Sequence, residues 1–189
     1  MSSIKLKHAS GNSMSIGAPA TNPASDLELK LPATIGTSHQ LLRNSGTAGT
    51  LEFTHNHFFE VKRSTNQTGY NGNSLTSIIE FDSENYDTGS NFNTSTYLFT
   101  VPETGLYYFI GSGYTNESNV TQSWLVVNGS RHAYTDWVLA TASSIISSSH
   151  LEYLTAADTV GYHVHTGTDT SCTINQSVNH TYFKGYKVH

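Results

Sequence analysis

The chain has 189 residues, a net charge of −5 and an isoelectric point near 6.0, and only 12% of its residues are charged. That balance leaves no basic footprint for nucleic acid or an anionic membrane, and no stretch nears the roughly 20 apolar residues of a spanning helix, so neither nucleic acid binding nor membrane insertion is expected. Ser, Thr, Asn and Gly fill about 80 positions; these residues suit turns and short connections and fit long helices poorly, so an all-β chain is expected.

The opening residues, MSSIKLKHASGNSMSIGAP, hold no apolar run of signal-peptide length. Three of the four prolines, Pro19, Pro23 and Pro32, fall in the first 32 residues. Between them lie short alternating pieces carrying Ile4 and Leu6, then Leu27, Leu29 and Leu31. Each piece is strand-like by alternation and too short to close a core. The connector LLRNSGTAG follows. Residues 1–54 therefore read as an extended arm and linker that gains order against another surface, with those five apolar residues as its attachment points. Residues 55–189 read as a separate head.

From Phe58 onward, strand signals recur every 8–15 residues: HFFEVKR, SLTSIIEF, TYLFTVP, GLYYFIGSGYT, SWLVVNG, HAYTDWVLA, SSIISSSHLEYL, TVGYHVHTG, SCTINQSV and TYFKGYKV. Short strands at this spacing, with no convincing helix, predict a sandwich or jelly roll. Asn128-Gly129 marks a hairpin turn within VNGSR. In Leu106–Ile110 five large residues run together. A half-exposed strand would alternate; a continuous apolar run requires cover on both faces.

These pieces come in an order that resembles the complement-q/tumour-necrosis-factor jelly-roll family. The residues that carry the resemblance are Phe81, Tyr86, Asp87 and Phe92 in FDSENYDTGSNFN, then Phe99, Pro102, Gly105, Tyr107 and Phe109 in LFTVPETGLYYF. Asn128 and Gly129 in LVVNGSR, the LEYLTAADTVGYHV segment, and Phe183 and Gly185 in TYFKGYKV complete the series. The one departure is Ala157, where the family carries Gly ahead of the residue matching Asp158. The resemblance implies a ten-stranded sandwich and a homotrimer built around one sheet. Phe99, Leu106, Tyr107, Tyr108, Phe109 and Phe183 would then form the core or the subunit interface. Residues 1–54 are similar to the amino-terminal segments of virion proteins of marine and cyanobacterial tailed phages. That similarity implies a virion protein assembled in the host cytoplasm, which fits a chain whose single Cys172 can form no intrachain disulfide.

Signals for chemistry are sparse. No nucleophile elbow, P-loop or zinc-protease motif is present. Asp82, Glu84, Asp87 and Glu103 fall in predicted loops, where two could be neighbours as glycan hydrolysis requires, but with 14 acids in the chain such proximity is what a solvated surface gives. His163 and His165 alternate on a strand and share a face, and His55 and His57 repeat the spacing. Three copies of His163 and His165 about an axis could hold a transition metal. The family resemblance also implies calcium in some members, with Asp87, Asp158 and Asp169 as oxygen donors. Otherwise no cofactor is expected. Tyr114 and Trp137 are candidates for stacking on a receptor glycan. The expectation is a non-enzymatic, trimeric virion appendage such as a tail fibre. Its arm would dock on other virion proteins and its head on a host-surface receptor or glycan. The alternatives are a capsid-decoration or tail-junction protein and a free carbohydrate-binding module.

Overall fold

A computed structural model describes residues 3–7, 10, 11, 13–17, 21, 23, 28–115, 122–134, 144–168, 170–177 and 179–188. Among them all regular structure is β. The chain divides into two compact units, residues 1–37 with 41–54, and residues 38–40 with 55–189.

In the first unit β1 (Ser3–Lys7) and β2 (Ser13–Gly17) form an antiparallel hairpin that sets Ile4 opposite Ile16 and Leu6 opposite Met14. β3 (Gln40–Asn44) pairs with β4 (Leu51–His55), and Lys30 adds a parallel bridge to Thr50. Leu29, Leu31, Ile35, Leu41 and Leu42 are all exposed.

The second unit is a two-sheet sandwich. Its strands are β5 (Phe58–Lys62), β6 (Gln67–Tyr70), β7 (Ser83–Asp87), β8 (Phe92–Asn93), β9 (Leu98–Thr100), β10 (Gly105–Thr115), β11 (Gln122–Val127), β12 (Ser130–Tyr134), β13 (Ser144–Leu154), β14 (Thr159–His165), β15 (Cys172–Ile174) and β16 (Tyr182–Lys187). In one sheet β10 lies between β13 and β16, with β5 and β7 beyond β16 and β15 and β6 at the far end of β10. The other sheet runs β12-β11-β14-β9-β8.

The core is aromatic. Phe59 stacks on Phe99 at 4.6 Å and meets Phe183 edge-on, and Phe109 stacks on Phe183 at 5.7 Å. Phe99, Tyr107, Phe109, Tyr162 and Phe183 are all essentially inaccessible. Each such ring contributes about 1.5–3 kcal/mol by leaving water. Two glycines make room for the rings. A Cβ on Gly111 would lie 2.2 Å from the Tyr162 ring, and one on Gly185 would lie 2.6 Å from Phe109.

Two local expectations are corrected, and a third is tested only in part. SLTSIIEF forms no strand; residues 71–78 instead run as a strap across the outer face of β11 and β14, and Ile79 and Phe81 then turn into the core. It is held mainly by side chains rather than a ladder: Trp124 Nε1 donates to Leu75 O at 3.2 Å, and the His163 and His165 rings bond Ser77 O and Gly72 O. Among the described residues its longer-range backbone bonds are limited to Thr166 N to Gly72 O and, where it ends, Ile79 N to Tyr162 O. β6, β7 and β8 carry no alternation strong enough to be read from sequence; β7 lies at a sheet edge and buries none of its five residues. In HAYTDWVLA, β12 extends to Tyr134 and the remainder, including Trp137, lies outside the described residues.

Candidate interaction surfaces

β10 separates its residues strictly by parity. Tyr107 and Phe109 point into the sandwich, while Leu106, Tyr108, Ile110, Ser112 and Tyr114 lie on the opposite face. Opposite them on β13 stand Tyr153, Leu151 and Ile145, and on β16 Tyr186. Tyr186 neighbours Tyr108 at 5.5 Å, and Phe58 on β5 meets Tyr86 on β7 at 5.6 Å. Tyr86, Ile145, Leu151, Tyr153 and Tyr186 are 44–72% exposed. Apart from Leu75 on the strap, they are the exposed large apolar residues described in this unit. One sheet face therefore gathers nearly all of them. A groove of about 140 Å3 crosses it over Gly185, lined by Phe58, Tyr86, Tyr108, Ile110 and Tyr186.

Of the residues expected at an interface or in the core, Phe99, Tyr107, Phe109 and Phe183 are core, while Leu106 and Tyr108 lie on the outer face. Tyr107 Oη donates to the Glu103 carbonyl at 2.7 Å, and burial pushes its pKa up to about 12. Tyr114 sits half-buried at the end of the outer face beside the His180 ring. Of the arm residues, Leu29 and Leu31 are exposed, Ile4 and Leu6 lie on β1, and Leu27 lies outside the described residues.

His163 and His165 share one face of β14, as their spacing predicts, but that face is covered rather than half-exposed. β14 belongs to the sheet opposite the exposed aromatic face. His163 is fully buried there, stacked on Trp124 at 4.2 Å, and the Arg131 guanidinium lies over the Trp124 ring. His163 Nδ1 lies 2.6 Å from Ser77 O and 2.7 Å from Tyr70 Oη. A carbonyl only accepts, so Nδ1 carries the proton and Nε2 presents a lone pair. That Nε2 is buried and has no hydrogen-bond partner among the described residues. Burial pushes the His163 pKa down to about 3. His165 is fixed in the same tautomer by Gly72 O at 2.7 Å. Backbone anchoring of this kind suits metal ligands, but two imidazoles make an incomplete set. No group of three His, Cys, Asp or Glu able to hold a metal occurs among the described residues. The strap accounts for the difference, since it converts a half-exposed strand into a covered one.

The candidate calcium ligands hold turns. Asp87 accepts the Phe92 N–H at 2.6 Å and the Gly89 N–H at 3.2 Å. Asp158 accepts from Asn128 Nδ2 at 2.7 Å and from the Thr155 N–H at 2.8 Å, and these bonds lower its pKa. Asp169 lies outside the described residues. Of the other acids, Asp82 pairs with Arg63 at 3.3 Å, Glu84 lies on the edge strand β7, and Glu103 pairs with Lys187. His57 is buried with its Nε2 3.8 Å from Glu103, and its ring lies 5.8 Å from that of His55.

The geometry of this second unit agrees with what comparison finds. The C1q domain family matches residues 58–188. The chain belongs to the C1q domain family. Its structure is similar to the globular domain of zebrafish complement 1qA protein, at 17% identity and a TM-score of 0.52, covering 71% of this chain and 98% of that one. It is similar also to murine APRIL at pH 5.0, at 11% identity and a TM-score of 0.53, covering 70% and 99%. No curated protein matches it in sequence. The C1q head thus accounts for the all-β jelly roll expected from the ordered motifs. Ala157, the departure from the family pattern, adopts φ +74°, the left-handed conformation that glycine would take without strain.

One surface had no sequence signal. Tyr97, with φ +63°, borders a polar concavity of about 320 Å3 between β6 and the strap. Asn71, Ser77 and Glu80 line it too. These residues are scattered over 27 positions and belong to no motif, so only the fold brings them together.

Proposed function

We propose that the chain is a non-enzymatic, homotrimeric appendage of a phage particle, with residues 1–54 attaching it to other virion proteins and the C1q head binding a host-surface receptor. The observation that carries the trimer is the outer face of the β10 sheet. Monomeric proteins rarely expose contiguous apolar patches beyond a few hundred Å2. Here Tyr108, Leu151, Tyr153 and Tyr186 are gathered on one face, and aromatic side chains with polar tips are the residues favoured in interfaces. The virion assignment is supported by the likeness of residues 1–54 to phage virion segments. It is supported also by the exposed leucines of the first unit and by a two-stranded β3–β4 ribbon whose strands can extend a partner's sheet.

Two measurements test this reading. Sedimentation equilibrium of the full chain at micromolar concentration should give three times the chain mass; a monomer overturns the trimer. Deleting residues 1–40 should leave a folded trimeric head that no longer joins particles. Incorporation of that truncated chain as efficiently as the full one would move attachment from the arm to the head.

A further inference from the structure

The concavity beside Tyr97 has the make-up of a saccharide site. Its floor is set by Gln67, which is buried and clamps the strap by accepting the Glu80 N–H at 3.0 Å and donating to Ile78 O at 3.4 Å. The Arg63 guanidinium bonds Glu80 O. The backbone around the site is therefore fixed in advance of any ligand, which lowers the ordering cost of binding. The volume of about 320 Å3 falls within the range of small-molecule sites.

The side chains that line it are left with unused capacity. Among the described residues, the Glu80 carboxylate, the Ser77 hydroxyl and the Tyr97 hydroxyl make no hydrogen bond or ion pair, and Asn71 uses only its Oδ1, toward Ser74 N. Acceptors and donors thus stand side by side with an aromatic ring. Tyr97 reaches this position at a conformational cost. Its φ of +63° lies where an L-residue loses about 1–2 kcal/mol and where Asn or Gly would sit more easily. The turn that enforces it is firmly closed: Tyr97 N donates to Asn93 O at 2.6 Å, while Asn93 Oδ1 accepts from Ser95 and Thr96. A strained aromatic at the rim of a concave polar site is the kind of outlier that points to function.

We infer that this concavity binds a neutral saccharide, with the Tyr97 ring against the C–H face of a pyranose and the Glu80 carboxylate accepting from a vicinal pair of hydroxyls. The Asn71 amide donates to a ring or glycosidic oxygen. The carboxylate sets the specificity: it repels sialic and uronic acids, which would place a second anion beside Glu80. The inference deepens the reading of the head as a receptor-binding module and rests on it only for the biological source of the sugar.

The test uses the full chain, with saturation-transfer NMR and chemical-shift titration against the methyl α-glycosides of glucose, mannose and galactose, N-acetylglucosamine, and the methyl glycoside of sialic acid. At least one neutral glycoside should bind at millimolar concentration and the sialoside should not. Glu80→Gln, which preserves shape, should weaken binding about tenfold or more. Tyr97→Asn removes the ring while suiting the left-handed backbone better, so binding should fall at least tenfold with an unfolding midpoint unchanged or raised. Undiminished binding in both variants, equal binding of the sialoside, or no binding of any neutral probe overturns the site. A trimer that joins particles but binds no glycoside overturns the pocket alone. Glycoside binding by a chain that stays out of particles supports the pocket and overturns the virion reading.

Discussion

Tyr107 and Tyr108 are adjacent in sequence and face opposite environments, so the same substitution at each should fail differently. Tyr107 is inaccessible and hydrogen-bonded to Glu103 O. Replacing it with Asp removes an aromatic from the core, about 3–5 kcal/mol, and leaves an unpaired carboxylate that costs several more. That sum, about 6–10 kcal/mol, is comparable with the 5–15 kcal/mol by which domains are stable, so Tyr107→Asp should not fold. Tyr108 is half-buried on the outer face beside Tyr186. In a lone chain Tyr108→Asp costs little. In a trimer it forfeits roughly 100 Å2 of further apolar burial, about 2.5 kcal/mol, and desolvates a charge for several kcal/mol more. At about 5 kcal/mol per chain, three chains lose about 15 kcal/mol. At 1.4 kcal/mol per decade that is about ten orders of magnitude in the trimer association constant. Sedimentation velocity with far- and near-ultraviolet circular dichroism reads both effects. Tyr108→Asp should be a folded monomer and Tyr108→Phe a trimer. A trimeric Tyr108→Asp, or a folded Tyr107→Asp beside it, would refute the parity argument.

Three further outcomes follow from local geometry. Ala157→Gly relieves the φ of +74° and should stabilise by about 0.5–1 kcal/mol, a rise of roughly 1–4 °C in Tm by thermal denaturation; a fall would mean the left-handed turn is unstrained. Gly111→Ala drives a methyl into the Tyr162 ring and away from the Ser148 hydroxyl it contacts at 3.0 Å, and should destabilise by about 1–3 kcal/mol or more in urea. Burial lowers the pKa of His57, His150 and His163, so below the ordinary value of 6.5 the unfolded chain binds protons the folded one refuses. Stability should therefore fall as pH drops from about 7 toward 5, by up to about 1.4 kcal/mol per pH unit per histidine, well above the carboxylate range; a flat profile there would contradict it.

The sandwich was legible because its core is written in aromatic residues at strand spacing, with turn residues such as Asn128-Gly129 between them. The rule applied to Leu106–Ile110, that a continuous apolar run needs two covers, holds equally for SWLVV in β11. There all six residues are buried, and the second cover comes from the chain itself, as the strap that closes over Trp124. Sequence cannot distinguish the two kinds of cover, because both impose the same composition on the strand. The strap was misread as a strand because Ile78 and Ile79 alternate faces over a few residues; their neighbours bond side chains instead of a ladder. For the same reason the burial of His163 and His165 was not legible: their shared parity holds, but what lies over that parity is set 86 and 93 residues away in sequence. The Tyr97 concavity was invisible because a positive φ leaves no trace in a residue type that disfavours it.

The two sheets thus differ in what remains free. The strap closes one outer face, and the other, carrying Tyr108, Leu151 and Tyr186, is open. The proposed association through the open face and the proposed saccharide site beside the strap use separate residues, so the two should be separable by mutation. Tyr108→Asp should lower apparent affinity for a glycan-coated surface by about 10²–10⁴, because three linked sites become one. Its affinity for a free methyl glycoside should match that of the wild-type chain. Tyr97→Asn should do the reverse, remaining trimeric and losing both. If Tyr108→Asp instead abolished binding of the free glycoside, the site would lie between subunits, and the concavity beside Tyr97 would not be a complete site in one chain.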